Sequence, residues 1–322
     1  MDVFDLVFFR TGIIVLFAAS LIDKPKRAMP DYINKIILGL LGLCVFNLFI
    51  HTFAPQVLAM TMNLFLAIVG LYILYTYLDE KANLVKYILW GAAINLIFLV
   101  SQRIGFDPIF DQIPNVNNKP ALNQTGAFFG NNPRIANYFT LVIPFLPLIW
   151  LPIGLILYFL TKQMVIFIPI VIILFTRLET LKSKIGFLAI IALSLFLFKA
   201  HILQSLSIRF AYWKPALEAF FDRPLIGYGL GTKIFPDLDA YFNSYLSFIN
   251  GVGILGLVWL GYVFKNVYKK IGRNKESIAL VTLALLMAIE YPIEHTRLWY
   301  LIIAIIVMWL IKKNKEVESA IS

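Results

Sequence analysis

The chain has little charge. Asp, Glu, Lys and Arg make up only 14% of its 322 residues, against about 25% in an ordinary soluble domain. With 60% hydrophobic residues and a mean hydropathy of +0.82, that shortage excludes a water-soluble globular domain. Cysteine is nearly absent too. Cys44 stands alone inside an apolar run, which excludes a disulfide framework. The apolar runs are continuous rather than alternating, which argues against a β-barrel. There is no internal repeat and no low-complexity tract. The first run, Leu6–Ile22, is followed by "DKPKR" and not by a small-residue cleavage site, so it reads as a retained helix and not a signal peptide. Acidic residues are outnumbered, 18 against 28 basic, giving a net charge of +10. Collection of Lys and Arg in cytoplasmic loops accounts for that surplus better than nucleic acid does.

What the chain does have is apolar runs of roughly bilayer length. They cover 6–22, 33–50, 57–78, 84–102, 135–161, 163–176, 185–200, 242–264, 277–290 and 298–311. The expected fold class is all-α: a polytopic helical membrane protein, one membrane domain over 1–322. Basic punctuation at 23–27, 79–86, 177–184, 265–276 and 312–315 reads as cytoplasmic. Two longer connections, 103–134 and 201–241, then fall on the outer face, the second bearing short helices. An odd number of crossings must separate 103–134 from 177–184. Pro144, Pro147 and Pro152 break the run 135–161, so a hairpin of two short helices is expected there, giving about 11 membrane segments.

Among the less apolar long stretches of the chain is "RFAYWKPALEAFFDRPLIGYGLG", Arg209–Gly231. Arg209 lies at an expected membrane boundary beside Phe210, Tyr212 and Trp213. It reads either as a snorkelling side chain or as a phosphate clamp, because a guanidinium matches phosphate oxygens bidentately. Lys214 and Arg223 add positive charge, while Glu218, Asp222, Asp237 and Asp239 balance it. "GYGLG" lacks the strand and helix that frame a nucleotide loop and reads as a tight turn back into the bilayer. "DLD" at 237–239 is too short a pattern to imply a metal, and no metal or other cofactor is expected. "EYPIEHTRLWY" places Glu290, Glu294, His295 and Arg297 at an outer turn, as functional groups or as an ion-pair cluster closing a hairpin. His51 falls in a short outer turn and reads as solvated; His201 opens the second outer loop. Lys162, in "FLTKQ" between two apolar runs, reads as a loop lysine.

"SIRFAYWKPALEAFFDRPLIGYGLG", followed by "YFNSYLSFINGVGILGLVWL", resembles the O-antigen ligase and polymerase family, which includes protein O-oligosaccharyltransferases. "GAFFGNNPRIANYFTLVIPFLPL" (126–148) resembles that family's entry into a membrane helix. The resemblance covers roughly 100–315. It implies a metal-independent glycosyltransferase in a bacterial cytoplasmic membrane, its active face toward the periplasm or exterior. The donor would be a glycan on undecaprenyl pyrophosphate, and the acceptor a glycan, lipid A-core or protein. Beyond membrane lipids no further partner is implied, and nucleic acid is not one. By position Arg209 matches the family's loop arginine and Asn243 the Asn that follows its histidine. Asn132 and Arg134 fall in the earlier element. Trp213, Lys214 and Arg223 flank the clamp. Two departures stand out: Phe242 occupies the histidine's place, and no "T-x-S-R-G" element occurs, Lys162 being the preferred substitute for its cation. Fixed cations can stabilise a pyrophosphate leaving group. The general base is left open between Asp237, Asp239 and His295. A transporter or flippase of lipid-linked glycans, or a catalytically inactive relative in envelope assembly, are the competing readings.

Overall fold

The computed structural model describes residues 3–20, 24–52, 54–79, 83–104, 106, 132–197, 199–232, 243–290 and 296–321. Every regular element among them is helical: α1 (Val3–Ser20), α2 (Asp31–Ile50), α3 (Pro55–Tyr77), α4 (Leu84–Arg103), α5 (Asn132–Val142), α6 (Ile153–Thr161), α7 (Phe167–Arg177), α8 (Leu181–Leu197), α9 (Lys199–Asp222), α10 (Ser244–Val252), α11 (Ile254–Tyr268), α12 (Lys275–Ile289) and α13 (Thr296–Ile321). By length and composition α2, α3 and α4 are long and apolar enough to cross a membrane. Large apolar side chains face outward on these helices and elsewhere, among them Leu38, Phe49, Ile97 and Phe159, each about two-thirds exposed. Water does not tolerate so much contiguous apolar surface on a monomer.

The chain folds as two compact units. Unit 1 comprises Met1–Asp79, Thr180–Gly272 and Met287–Ser322; unit 2 comprises Glu80–Glu179 and Arg273–Leu286. In unit 1, α1, α3 and α13 pack on one another, α2 packs on α3 and α11, and α10 packs on α9 and α11. Small residues allow the close approach, as membrane helices require. A Cβ on Gly70 would sit 2.5 Å from Ile13 Cδ1, and one on Gly12 would collide with the Tyr300 ring.

In unit 2, α5 is the buried centre: every side chain from Ile135 through Phe145 is shut off from solvent, and α4, α6 and α7 pack around it. The expected break falls at the prolines. α5 stops at Val142, 3-10 turns follow at Ile143–Phe145 and Leu148–Trp150, and α6 starts at Ile153. Pro144 has no N–H to continue the ladder. α6 packs back against α5.

The stretch 201–222 departs from expectation. It is not a loop with short helices but part of α9, one 24-residue helix with Pro215 inside it. Polar side chains make it look like a loop, yet the span contains no glycine and includes three Ala and three Leu, which favour helix.

Candidate functional site

In unit 1 the two motif stretches fold onto each other. The glycine turn lies against the C-terminal end of α10, backbone to backbone. Tyr228 N donates to Asn250 O at 2.8 Å, Gly229 N to Gly251 O at 3.0 Å, and Ile254 N to Pro224 O at 2.7 Å. Only glycine permits this approach. Gly227 has φ +66°, and a Cβ there would lie 2.5 Å from Asn250 O; Gly253 has φ +70°, and its Cβ would lie 2.5 Å from Leu225 O. Asn47 of α2 completes the joint. Fully buried, it donates to Gly251 O at 2.9 Å and accepts from Leu230 N at 2.8 Å. Asn250 adds a bond to Ala216 O of α9 at 2.9 Å.

Arg209 and Asn243 meet at the end of α12. The last carbonyls of a helix have no partner within it, and here neighbouring elements supply them. Asn243 Nδ2 donates to Ala288 O at 2.8 Å, Arg209 Nε to Ile289 O at 3.0 Å, and Ser244 N to Glu290 O at 3.2 Å. Asn243 also caps α10, accepting from Leu246 N at 3.0 Å. Arg209 Nη2 reaches Glu290 Oε1 at 2.7 Å, with the two side chains 17% and 5% exposed. Glu290 thus pairs with Arg209, a partner outside the 290–300 turn. Glu294, His295, Asp237, Asp239 and Phe242 lie outside the described residues, as do the side chains of Arg297, His201 and Asn132.

The other unit 1 candidates are looser. Trp213 stands one turn after Arg209 and packs edge-on against Phe210, centroids 5.4 Å apart. Lys214 makes an exposed pair with Glu218 at 3.9 Å. Arg223 lies over the Tyr228 ring at 4.7 Å, tying α9 to the glycine turn. His51 touches that turn as well, its Nε2 3.5 Å from Ile226 O.

Lys162 and Arg134 belong to unit 2. Lys162 is an exposed side chain on the residue that ends α6, in a left-handed conformation with φ 58°. Beside it, Arg103 Nη2 donates to Leu160 O. Arg134 lies in the first turns of the buried helix α5. Sequence reasoning left Arg103 as the first residue of a loop, and it overlooked Asn47 and Asn250. Asn47 carries a signal: an amide in the last turn of an apolar helix needs a partner. Among the described residues no three of His, Cys, Asp and Glu come together to hold a metal ion.

In comparison with known proteins, no family model, no curated protein and no solved structure matches this chain.

Proposed function

We propose that this chain is an integral membrane glycosyltransferase. It moves an oligosaccharide from undecaprenyl pyrophosphate to a sugar or protein acceptor, in the manner of O-antigen ligases and polymerases. One observation carries the reading: two neighbouring stretches of the resembling motif, 209–231 and 243–254, form a single interlocked joint. The Arg209 stretch, the glycine turn and the segment after Asn243 hold one another through backbone and amide hydrogen bonds. A motif that builds one three-dimensional frame is a better basis for analogy than letters alone. Arg209 would be the anion-binding group of that frame, with Arg223 and Lys214 on the same helix or just after it. Lys162, neighboured by Arg103, is a separate candidate cation within unit 2. Donors held in place before reaction stabilise a leaving diphosphate without reorganising.

The Arg209–Glu290 pair supports a second reading, a catalytically inactive relative that assembles with other envelope enzymes. A guanidinium already bound to a carboxylate and a carbonyl has less to offer a phosphate. Purified protein in liposomes, supplied with an undecaprenyl-pyrophosphate-linked oligosaccharide and an acceptor glycan, decides between them. Release of undecaprenyl pyrophosphate with growth of the acceptor supports transfer. Donor binding without release, unchanged by Lys162→Ala, supports the inactive relative.

A further inference from the structure

The end of unit 1 away from the motif joint holds a different set of groups. The N-terminus of α2, the C-terminus of α3, the end of α11 and the last turns of α13 meet there. Lys270 Nζ lies 3.9 Å from the centre of the Tyr32 ring, Arg27 lies 5.5 Å from that of Tyr75, and Asn314 Nδ2 donates to Tyr75 Oη at 2.5 Å. Cations outnumber acids. Asp79 is within 3.9 Å of Lys26 and Glu316 within 2.6 Å of Lys313. Arg27, Lys35, Lys265, Lys269 and Lys270 have no carboxylate partner among the described residues, and Asp31 adds one further acid at the head of α2. Arg27 Nη2 donates to Leu78 O at 2.5 Å, while Nη1 has no hydrogen-bond acceptor.

An apolar strip runs from this cluster down α2. Lys35 is followed at helical spacing by Leu38, Gly42, Val45 and Phe49. The three large side chains are 65%, 51% and 67% exposed. Gly42 has nothing within 4 Å of where a Cβ would stand, so the strip has a shallow dip at its middle. Cations at the head of a helix, tyrosines among them and an apolar strip below match the two parts of one molecule: an anionic head group and its acyl chain.

We propose that this end of unit 1 is a binding site for an anionic phospholipid. Its phosphate sits among Arg27, Lys35, Lys269 and Lys270, and one acyl chain lies along Leu38, Gly42, Val45 and Phe49 of α2. The site is independent of the glycosyltransferase reading, since it uses none of the residues assigned there.

Native mass spectrometry of the full-length protein tests it. Phosphatidylglycerol and phosphatidylcholine with the same acyl chains are offered in equal amounts, and undecaprenyl pyrophosphate in a separate arm. The wild-type protein is expected to retain phosphatidylglycerol in preference. Each cation near a membrane surface is worth about fivefold in affinity for an anionic lipid, so Lys35→Gln/Lys269→Gln should weaken retention about tenfold or more. Both side chains are exposed, so this variant leaves packing intact even if Arg27→Gln/Lys270→Gln folds poorly. Lys182→Gln, exposed on α8, should change nothing. Equal retention of the two phospholipids would overturn the proposal, as would an equal loss in the Lys182 variant. Displacement of phosphatidylglycerol by undecaprenyl pyrophosphate, sensitive to the Lys35 and Lys269 changes, would overturn it too, by making the cluster a polyprenyl site.

Discussion

Arg209 is held at two atoms, Nε on Ile289 O and Nη2 on Glu290 Oε1, partners about 80 residues further along the chain. The pair is largely buried, and breaking such a pair from one side leaves an uncompensated charge. Arg209→Ala and Glu290→Ala should each cost about 3–5 kcal/mol, whereas replacing both by apolar residues, Arg209→Met with Glu290→Leu, should recover most of the loss. Denaturation of the purified variants in detergent checks this, and two additive losses would show that the pair is not the unit of stability. Lys162 allows stability and chemistry to be separated. Its backbone has φ 58°, where glycine is more comfortable than lysine. Lys162→Gly should therefore keep or raise the unfolding temperature. If the cation serves a diphosphate, the same change should cut transfer at least tenfold, a loss of about 1.4 kcal/mol or more of transition-state stabilisation. An unchanged transfer rate would remove Lys162 from the site.

Among the elements, breaks were easier to read than docking. Pro144, Pro147 and Pro152 announce the interruption between α5 and α6, because a missing N–H is a local defect. "GYGLG" announces a turn for an equally local reason. The partner of that turn is not local: the end of α10 and Asn47, the latter some 180 residues away from Leu230. α9 was misread for the opposite reason. Its polarity suggests a loop, yet the helix runs on for 24 residues through Pro215. Two glycines test the difference between glycine as contact and glycine as filler. Gly253 has a positive φ and a carbonyl where its Cβ would go; Gly42 sits in open space within α2. Gly253→Ala should destabilise by more than about 2 kcal/mol, combining backbone strain with displacement of the α9–α10 connection. Gly42→Ala should be neutral, or stabilising by up to about 1 kcal/mol through helix propensity. Thermal unfolding of the two variants in the same detergent gives the comparison. Equal effects would mean that the close backbone approach at Gly253 does not hold the joint.

On the scale of the whole molecule, four of the five segments read as cytoplasmic from Lys and Arg, 23–27, 79–86, 265–276 and 312–315, send residues to one cluster of unit 1: Lys26 beside Asp79, Lys270 on Tyr32, and Asn314 on Tyr75, which also carries Arg27. Segments read as outer form the other set: His51 on the glycine turn, and Arg209 at the end of α12. Positional rules for Lys and Arg concern insertion, and helix packing concerns contact; neither requires the other. Their agreement makes a sharp expectation about sidedness. Cys44 is buried, so Cys44→Ala gives a background without a native thiol. In that background Arg223→Cys marks the joint and Lys269→Cys marks the basic end, both at exposed positions. A membrane-impermeant thiol reagent applied to intact cells should label the cysteine at position 223. It should reach the one at position 269 only after the membrane is opened. Labelling of both from the same side would show that unit 1 does not span the bilayer. The reverse sidedness would keep the span but place the joint in the cytoplasm, where the proposed outer-face transfer from undecaprenyl pyrophosphate has no site.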